Sequence, residues 1–238
     1  FGDESFAMIQ NSCVIVVGLG GVGSHAAMML VRSGIRRIRL IDFDRVTLSS
    51  LNRHSMATLD DVGKSKAAVL KERLLEVAPW CHIEAVEQMF KGSEADTLLD
   101  STSLASSYPN LKENKTFVLD CIDDVNTKAE LIAYCCNSGI SILTSMGAGA
   151  KADPTRMRIA SLSECINDPL ASKIKWKLKK HKINPENVLS VFSIEKPNVE
   201  LLPLDEEQSS NPQDYGTVDY LRLRVIPVLG TSPAIFGQ

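Results

Sequence analysis

The 238-residue sequence predicts an α/β fold built on a doubly wound, mostly parallel sheet. Two observations support this prediction. Short apolar runs of strand length alternate with segments of helical periodicity through the first 150 residues, and parallel strands need such helical crossovers. The chain is also 44% hydrophobic, which suffices for one large core, and it is too short for two full-sized domains.

Five strands are predicted in this first half. Ser12–Val17 is an almost unbroken apolar run closed by glycines, which is typical of a strand buried on both faces. Arg36–Ile41 alternates arginine with isoleucine and leucine and ends at Asp42. The other three predicted strands are Cys81–Glu87, Thr116–Ile122 and Ile140–Thr144. Ligands of such a sheet bind at the carboxyl ends of its strands, so functional residues are expected there.

Three helices are predicted between these strands. Val22–Ser33 has helical periodicity and is followed by Gly34, a residue that commonly ends a helix. Val62–Val77 carries an apolar stripe and is followed by Pro79, which cannot continue a helix. The third predicted helix is Thr127–Asn137.

The character of the sequence changes after Gly149. Residues 151–238 are predicted to form a smaller extension of strands and helix within one domain that covers residues 1–238. Its predicted elements are strands at Met157–Ala160, Asn187–Ile194 and Thr217–Val225, a lysine-rich segment at Lys173–Lys182 and a mobile loop at Pro197–Tyr215. The first residue is not Met and the chain stops on an apolar stretch, so we expect truncation at both ends, with a further helix missing.

Composition excludes several classes of protein. With 23% charged and 44% hydrophobic residues, the chain is neither disordered nor fibrous. No apolar run approaches the roughly 20 residues of a membrane-spanning helix, and the first residues lack the layout of a secretory signal. The six cysteines include no C-x-x-C pair, which disfavours a structural zinc site and favours a reducing compartment such as the cytosol.

A glycine-rich turn follows the first strand and opens the first helix, as in Rossmann-like sheets. Gly18 permits the tight turn, Gly20 lets a phosphate or ribose approach the backbone, and Gly23 lets helix and strand pack closely. The helix N-terminus offers N–H groups to an anion, and Asp42 is placed to accept hydrogen bonds from ribose hydroxyls. Residues 1–150 are therefore predicted to be a nucleotide-binding half, although the motif alone does not distinguish NAD from ATP.

Three further features favour an ATP-cleaving site over a dinucleotide site. Asn52 and Arg53 follow the second strand, Lys66 opens the next helix, and Asp123 follows the fourth strand. Arginine and lysine stabilise charge on phosphates, and a carboxylate holds Mg²⁺. Each residue alone is weak evidence, because Arg53 and Lys66 are also plausible as surface ion-pair residues and Asp123 as a helix N-cap. Their order together with the glycine turn carries the prediction.

The motifs VGLGGVGS, LIDFD, LNRH, VGKSKA and VLDCIDD resemble those of the ubiquitin-activating-enzyme-like superfamily, which includes bacterial activators of sulfur-carrier proteins. Its members use ATP and Mg²⁺ to convert a carboxylate into an acyl-adenylate. The resemblance implies that Asp42 binds ribose, that Arg53 and Lys66 contact phosphates, and that Asp123 holds Mg²⁺ beside the reacting phosphate. The implied nucleotide-binding set is Gly18, Gly20, Gly21, Gly23, Asp42, Asp44, Asn52, Arg53, Lys66 and Asp123, with Arg53, Lys66 and Asp123 as its catalytic members.

Motifs in the second half of the sequence indicate one family within this superfamily. GAGAKADPT from Gly147, DPLA from Asp168, VFS from Val191 and VLGT from Val228 are similar to motifs of the tRNA threonylcarbamoyladenosine dehydratases. That family activates the threonyl carboxylate of a modified adenosine in tRNA, whose own ureido group then closes a ring and expels AMP. The resemblance implies an ATP-dependent, ligase-type tRNA-modifying cyclase that releases AMP and pyrophosphate. It also implies a homodimer, a tRNA substrate and no stable carrier protein.

The cysteines agree with an intramolecular nucleophile. Carrier-protein activators often keep a zinc-binding cysteine tetrad, and ubiquitin activators need an acceptor cysteine, whereas this chain has no C-x-x-C pair. Proximity supplies much of the rate acceleration when the attacking group belongs to the substrate itself. Cys165 is the one plausible covalent candidate, and the alternative is a partly buried thiol.

The lysine-rich segment holds six lysines in ten residues, so the rest of a chain with net charge −3 carries −9. It is either a solvated helix face or a contact for the phosphate backbone of RNA, with Trp176 available for packing or base stacking. The RNA-contact candidates are Lys173, Lys175, Lys177, Lys179, Lys180 and Lys182. The Gly147–Lys151 loop follows the fifth strand, at the end of the sheet where ligands bind. It either binds the reacting carboxylate or is a structural turn.

Other interpretations stay open at this point. They are an activator of a ubiquitin-like or sulfur-carrier protein, an NAD-dependent oxidoreductase, and a non-catalytic nucleotide-binding scaffold. Many superfamily members insert an arginine from the segment before the first strand into the partner's ATP site, and the first eleven residues contain none, so such a residue lies upstream or is not used. The resemblance implies that the protein is located on the cytoplasmic face. It leaves open whether the protein is attached to the mitochondrial outer membrane through segments outside this chain.

Overall fold

A seven-stranded sheet forms the centre of the computed structural model, which describes residues 2–107, 115–197, 202–203, 224–225 and 228–238. The strands are β1 Cys13–Val17, β2 Arg37–Ile41, β3 His82–Val86, β4 Thr116–Asp120, β5 Ser141–Ser145, β6 Met157–Ser161 and β7 Leu189–Ser193. Their order is β3-β2-β1-β4-β5-β7-β6, and every pairing is parallel except β6 with β7. The predicted fold class is confirmed.

Helices cover both faces of this sheet. They are α1 Asp3–Asn11, α2 Gly21–Arg32, α3 Lys66–Val77, α4 Ala95–Leu98, α5 Thr102–Ser106, α6 Val125–Asn137, α7 Pro169–Lys180 and α8 Thr231–Gly237. The sequence did not predict α1. The predicted start of α3 at Val62 is wrong, because the side chain of Ser65 caps the helix by accepting the N–H of Ala68. Val46 exchanges backbone hydrogen bonds with Gly63 and Lys64, which holds the preceding residues out of the helix.

The first strand is buried on both faces, as its unbroken apolar run predicts. Val14 and Val16 pack with α2 and α3 in one core cluster, whereas Ile15 and Val17 belong to the cluster on the opposite face. A third cluster lies between α6, α7 and the strands β5 and β7. The glycine turn at the end of β1 is therefore anchored in the middle of the sheet.

The second half keeps the predicted pattern where it is described. The two strands predicted at Met157–Ala160 and Asn187–Ile194 are β6 and β7, and the lysine-rich segment is mostly helical. The short strands β8 Leu202–Pro203 and β9 Arg224–Val225 pair antiparallel as a separate ribbon. Most of the predicted loop at 197–215 and of the predicted strand at 217–225 lies outside the described residues. In the part of the chain that is described, no helix has the length and apolarity to cross a bilayer.

Candidate functional site

The glycine turn at the end of β1 has a shape that only glycine fits at two positions. Gly18 has a φ of +89°, and a Cβ there would lie 2.8 Å from the carbonyl oxygen of Cys121. A Cβ on Gly23 would lie 1.8 Å from the carbonyl oxygen of Gly18, so α2 and β1 could not pack this closely. A Cβ on Gly20 would meet nothing within 4 Å, which leaves the N-terminal end of α2 open to a ligand.

Asp42 links this turn to the end of β2. Its Oδ2 accepts the backbone N–H of Leu19 at 2.5 Å, and its Oδ1 accepts that of Asp44 at 2.7 Å. Burial raises the pKa of the Asp42 carboxyl group, and the nearby positive charge of Lys66 opposes that rise. The structure thus places Asp42 beside the glycine turn, where a ribose acceptor is predicted.

Lys66 reaches the same edge of the sheet from the first residue of α3. Its Nζ lies 2.7 Å from Oδ2 of Asp44, and its side chain is 11% exposed against 39% for Asp44. Two residues predicted to contact the nucleotide are therefore an ion pair. The lysine is held next to the glycine turn rather than extended into solvent.

Arg53 also lies against the glycine turn. A Cβ on Gly21 would lie 3.2 Å from the Cβ of Arg53. The Nη1 of Arg53 donates to the carbonyl oxygen of Ser49 at 2.6 Å and to Oδ1 of Asn52 at 3.0 Å. Asn52, also predicted to belong to the site, therefore orients the guanidinium group of Arg53.

Asp123 is exposed in the turn between β4 and α6. The alternative in which it caps α6 is wrong, because the capping residue is Asp124, whose Oδ1 accepts the N–H groups of Asn126 at 3.0 Å and Thr127 at 2.8 Å. The strand also ends at Asp120, two residues earlier than predicted, and this leaves Asp123 in the turn. Its side chain therefore lies exposed at the carboxyl end of the sheet.

A magnesium ion fits this set of side chains only together with a nucleotide. Within the described ranges, no group of three or more histidine, cysteine, aspartate or glutamate side chains could hold a metal ion. Magnesium is commonly bound through one or two carboxylates plus substrate phosphates. Asp123 is an exposed carboxylate that would suit this role with phosphates at the open N-terminal end of α2.

Sequence reasoning missed the contribution of α8, the helix near the C-terminus. A Cβ on Gly230 would lie 2.1 Å from the carbonyl oxygen of Asn52, and a Cβ on Gly21 would lie 2.6 Å from Pro233. A Cβ on Gly237 would lie 2.4 Å from the carbonyl oxygen of Val22. α8 therefore packs directly on the glycine turn and α2. The glycines that flank its apolar residues were the available signal.

The Gly147–Lys151 loop is fixed by hydrogen bonds beside the end of β5. The N–H of Gly147 donates to Oδ2 of Asp168 at 3.1 Å, and the same carboxylate caps α7. The buried Nζ of Lys151 donates to the carbonyl oxygens of Asn167 and Glu195, so this ammonium group is engaged by the protein. Ser232 of α8 donates its hydroxyl to the carbonyl oxygen of Lys151 at 2.5 Å, which ties the loop to the nucleotide side.

His54, which follows Arg53, is a second residue that sequence reasoning missed. It is 7% exposed, and its Nδ1 accepts the N–H groups of Met56 at 3.3 Å and Ala57 at 3.1 Å. Burial, followed by the positive charge of Lys66, lowers the pKa of His54 from 6.5 to about 4. The imidazole is therefore neutral at physiological pH, and its Nδ1 holds the backbone of the residues that follow it.

The lysine-rich helix α7 presents most of its lysines to solvent. Ala171, Ile174 and Leu178 form its buried face. Within α7 the exposed lysines are Lys173, Lys179 and Lys180, and Lys177 is half-buried, whereas the exposed Lys182 lies in the turn that follows the helix. Lys175 differs, because its Nζ donates to the carbonyl oxygen of Cys165 at 2.8 Å. The Nζ of Lys180 lies 3.7 Å from the centroid of the exposed Trp176 ring.

Cys165 does not have the properties of a covalent acceptor. The side chain is buried, and burial raises the pKa of its thiol to about 12. The nucleophilic form of cysteine is the thiolate, which this environment disfavours. The covalent alternative is therefore not supported, and Cys165 packs in the core cluster beneath α7.

The fold and the site define a protein of the Rossmann-like α/β class, in which a glycine turn, basic side chains and carboxylates lie at the carboxyl edge of the sheet. The chain belongs to the ThiF family, whose model matches residues 1–238.

Its relatives include tRNA threonylcarbamoyladenosine dehydratases. The dehydratase 2 of Saccharomyces cerevisiae is 42% identical over 245 residues, which is 99% of this chain and 52% of the relative. The dehydratase of Bacillus subtilis is 35% identical over 198 residues, covering 83% of this chain and 73% of the relative. The chain thus spans about half the length of the yeast relatives it matches.

Solved structures give the same result. The crystal structure of Escherichia coli tRNA N6-threonylcarbamoyladenosine dehydratase, TcdA, in complex with AMP has a TM-score of 0.79 and 31% identity, covering 100% of this chain and 85% of that chain. The TcdA complex with ATP has a TM-score of 0.77 and 30% identity with the same coverage. The resemblance seen in the motifs is confirmed.

Proposed function

We propose that the protein dehydrates threonylcarbamoyladenosine in tRNA to its cyclic form, at the expense of ATP. The observation that carries the proposal is the placement of Asp42, Arg53, Lys66 and Asp123 around an open glycine turn at one edge of the sheet. The names of the relatives, and the ATP and AMP complexes of TcdA, support the same reaction.

In this proposal the nucleotide lies along the glycine turn. Asp42 accepts hydrogen bonds from the ribose hydroxyls, and the phosphates lie at the N-terminal end of α2. Arg53 and Lys66 stabilise the negative charge that develops on the phosphates as the α-phosphorus is attacked. When bound, Mg²⁺ supplies further charge neutralisation on the phosphate oxygens, and Asp123 is the side chain that would hold it.

The proposed chemistry has two steps. The threonyl carboxylate attacks the α-phosphorus of ATP, so that an acyl-adenylate forms and pyrophosphate leaves. The ureido group of the same nucleoside then attacks the activated carbonyl carbon, a proton is lost, and AMP leaves. The net result is the loss of one water from the nucleoside. Because the nucleophile is part of the substrate, the protein contributes orientation, for which the Gly147–Lys151 loop is suitably fixed.

The proposed tRNA contact is the exposed face of α7. Lys173, Lys179 and Lys180 extend into solvent there, and Lys180 lies over the ring of Trp176. The cap of α7 at Asp168 also binds the Gly147 amide, so this helix begins at the edge of the site. Phosphates of a tRNA on α7 would therefore lie close to a nucleoside held in the site.

We also propose that the protein acts as a homodimer, without a stable carrier protein, on the cytoplasmic face, and that any attachment to the mitochondrial outer membrane is made through segments outside this chain. These proposals rest on the family resemblance. Light scattering of the purified protein, and fractionation of cells that express the full-length protein, test the assembly and the location in turn.

The test of the reaction is a mass measurement on nucleosides. The protein is incubated with Mg²⁺, ATP and tRNA that carries threonylcarbamoyladenosine, and the tRNA is then digested to nucleosides. We expect the modified nucleoside to lose the mass of one water, and only when ATP is present. An unchanged nucleoside mass with folded protein would rule the proposal out.

Two parallel incubations separate the alternative functions. An activator of a sulfur-carrier protein would exchange pyrophosphate into ATP only when a carrier protein is added. An NAD-dependent oxidoreductase would bind nicotinamide dinucleotide in place of ATP. We expect neither result, because the relatives that cover most of this chain are tRNA dehydratases, whereas the Escherichia coli ThiS adenylyltransferase matches 59% of it at 31% identity.

A further inference from the structure

An ion pair with no solvent exposure lies directly beneath the turn that carries Asp123. The Nζ of Lys128 is 2.8 Å from Oδ2 of Asp120, and both side chains are 0% exposed. The hydroxyl of Thr144 donates to the same Oδ2 at 2.5 Å. Burying two charges is costly, and well-packed apolar residues often give equal or greater stability. Stability alone therefore does not explain the pair, and its neighbours show which part of the chain it holds in place.

The Asp120 carboxylate sets the path of the chain toward Asp123. Its Oδ1 accepts the backbone N–H of Ile122, the residue before Asp123, at 3.1 Å. Because Lys128 and Thr144 both donate to Oδ2, the carboxylate cannot rotate without losing a charge-assisted hydrogen bond. Oδ1 therefore stays directed at the Ile122 amide.

Lys128 also contacts the other end of the same turn. Its backbone N–H donates to the carbonyl oxygen of Asp124 at 3.0 Å, while its Nζ binds Asp120. Asp124 is fixed further by its cap of α6. One residue thus joins both ends of the 120–124 turn, and Asp123 lies between the two attachment points.

We propose that Lys128 is a positioning residue, which together with Asp120 and Thr144 holds the Asp123 carboxylate in the place that Mg²⁺ with ATP requires. The inference rests on the proposed function, since the role of Asp123 toward the metal belongs to it. Lys128 itself is fully buried, so its side chain has no surface on which a nucleotide or substrate could bind. Mutation of a group that orients a metal ligand typically lowers metal affinity by about 10- to 100-fold.

The variants are chosen so that the protein still folds. Lys128→Met alone leaves the Asp120 carboxylate buried and unpaired, and is expected to destabilise the whole chain. The double variant Asp120→Asn with Lys128→Met removes both charges and keeps an oxygen to accept the Ile122 amide. The matched control is Arg39→Met with Glu84→Gln, which neutralises an ion pair of 2.7 Å between the neighbouring strands β2 and β3.

The measurement is Mn²⁺ binding in the presence of ATP and without tRNA, followed by the electron paramagnetic resonance signal of free Mn²⁺. We expect the Asp120/Lys128 double variant to bind Mn²⁺ at least about tenfold more weakly than wild type. Its affinity for ATP in the presence of a chelator should stay unchanged. The Arg39/Glu84 control should keep wild-type affinity for Mn²⁺.

A mutant cycle with Asp123→Ala separates positioning from general destabilisation. If the buried pair acts through Asp123, adding the double variant to Asp123→Ala causes no further loss of Mn²⁺ affinity. Additive losses, equal losses in the control, or wild-type Mn²⁺ affinity in a folded double variant would overturn the inference. So would a wild-type protein that binds no Mn²⁺ beyond that held by ATP. None of these results depends on tRNA, so the dehydration assay still judges the proposed function separately.

Discussion

The Nζ of Lys66 lies 2.7 Å from Oδ2 of Asp44, and the backbone N–H of Lys66 also donates to the Asp44 carbonyl oxygen at 3.0 Å. The lysine is thereby held at the edge of the site before any phosphate arrives. A charge that is already oriented loses little conformational freedom when the nucleotide binds, which is how preorganised cations contribute to catalysis. The partly exposed Asp44 acts as the holder of Lys66 in this arrangement.

The first prediction concerns this pair. Lys66→Met should lower kcat/KM for ATP-dependent dehydration by about 100-fold or more, because it removes the cation that we propose stabilises the phosphates. Asp44→Asn should cost about tenfold or less, since the lysine remains. Lys64→Met is the matched control, because Lys64 is a neighbouring lysine paired with Asp61. Equal losses in the Lys64 and Lys66 variants would contradict the assignment.

The glycine turn separates a structural requirement from a binding requirement. Gly23→Ala should destabilise the fold by at least about 2 kcal/mol, because its Cβ would overlap the Gly18 carbonyl oxygen. Gly20→Ala should leave the melting temperature unchanged, since its Cβ meets nothing within 4 Å, yet weaken ATP binding by about tenfold. Thermal melting and calorimetric ATP titration measure the two effects. Unchanged ATP affinity in Gly20→Ala would place the nucleotide elsewhere.

The buried His54 predicts how stability depends on pH. Its folded pKa is about 4 against an ordinary 6.5, so between these values the unfolded chain binds a proton that the native protein does not. The free energy of unfolding should therefore fall as pH decreases through this window, by up to about 3 kcal/mol from this residue. His54→Gln should reduce that dependence in urea titrations at several pH values. His181→Gln, at an exposed position, should keep the wild-type dependence, and a His54 variant that does so as well would refute this account.

The hydroxyl of Ser232 connects α8 to the Gly147–Lys151 loop. Ser232→Ala leaves the Lys151 carbonyl oxygen without this donor, and we expect KM for tRNA to rise by about three- to tenfold, in line with the loss of one buried hydrogen bond. ATP affinity should not change. Ser106→Ala, which removes a hydroxyl bonded to the carbonyl oxygen of Ser103, is the control. A rise in KM for ATP instead of tRNA would show that the loop does not serve the substrate.

The exposed lysines of α7 should govern the salt dependence of tRNA binding. Replacing Lys173, Lys179 and Lys180 by glutamine should weaken tRNA binding and reduce the slope of log affinity against log salt concentration by about two to three. The control is Lys91→Gln, an exposed lysine on another part of the surface. If the slope is the same in the triple variant and in wild type, α7 is a solvated helix face and the tRNA binds elsewhere.

Local sequence patterns were sufficient to predict the elements whose burial is visible in a short run of residues. The unbroken apolar run of β1 reflects burial on both faces, and the turn after it needs glycine because Gly23 lies close to Gly18 and Gly18 lies close to Cys121. Asp42, Arg53 and Lys66 could be placed at one edge because parallel strands end at one edge.

Contacts between distant parts of the chain could not be predicted in this way. α8 packs on α2 where Gly237 lies against Val22, and these residues are more than 200 positions apart in the sequence. No local periodicity predicts such a contact. From the sequence alone, Lys128 would be assigned to the surface of a helix. In the structure it is buried, because it pairs with Asp120, which Thr144 also binds. Whether a lysine is buried depends on the partners that the fold supplies, as Lys151 also illustrates.

The central claim is that the protein activates the threonyl carboxylate by adenylation, and an isotope measurement tests it most directly. The tRNA is prepared with heavy oxygen in both positions of that carboxylate, and a single turnover is run with ATP and Mg²⁺. The account predicts that one labelled oxygen appears in AMP for each nucleoside that loses water. Label found in inorganic phosphate, or dehydration with no label in AMP, would contradict it.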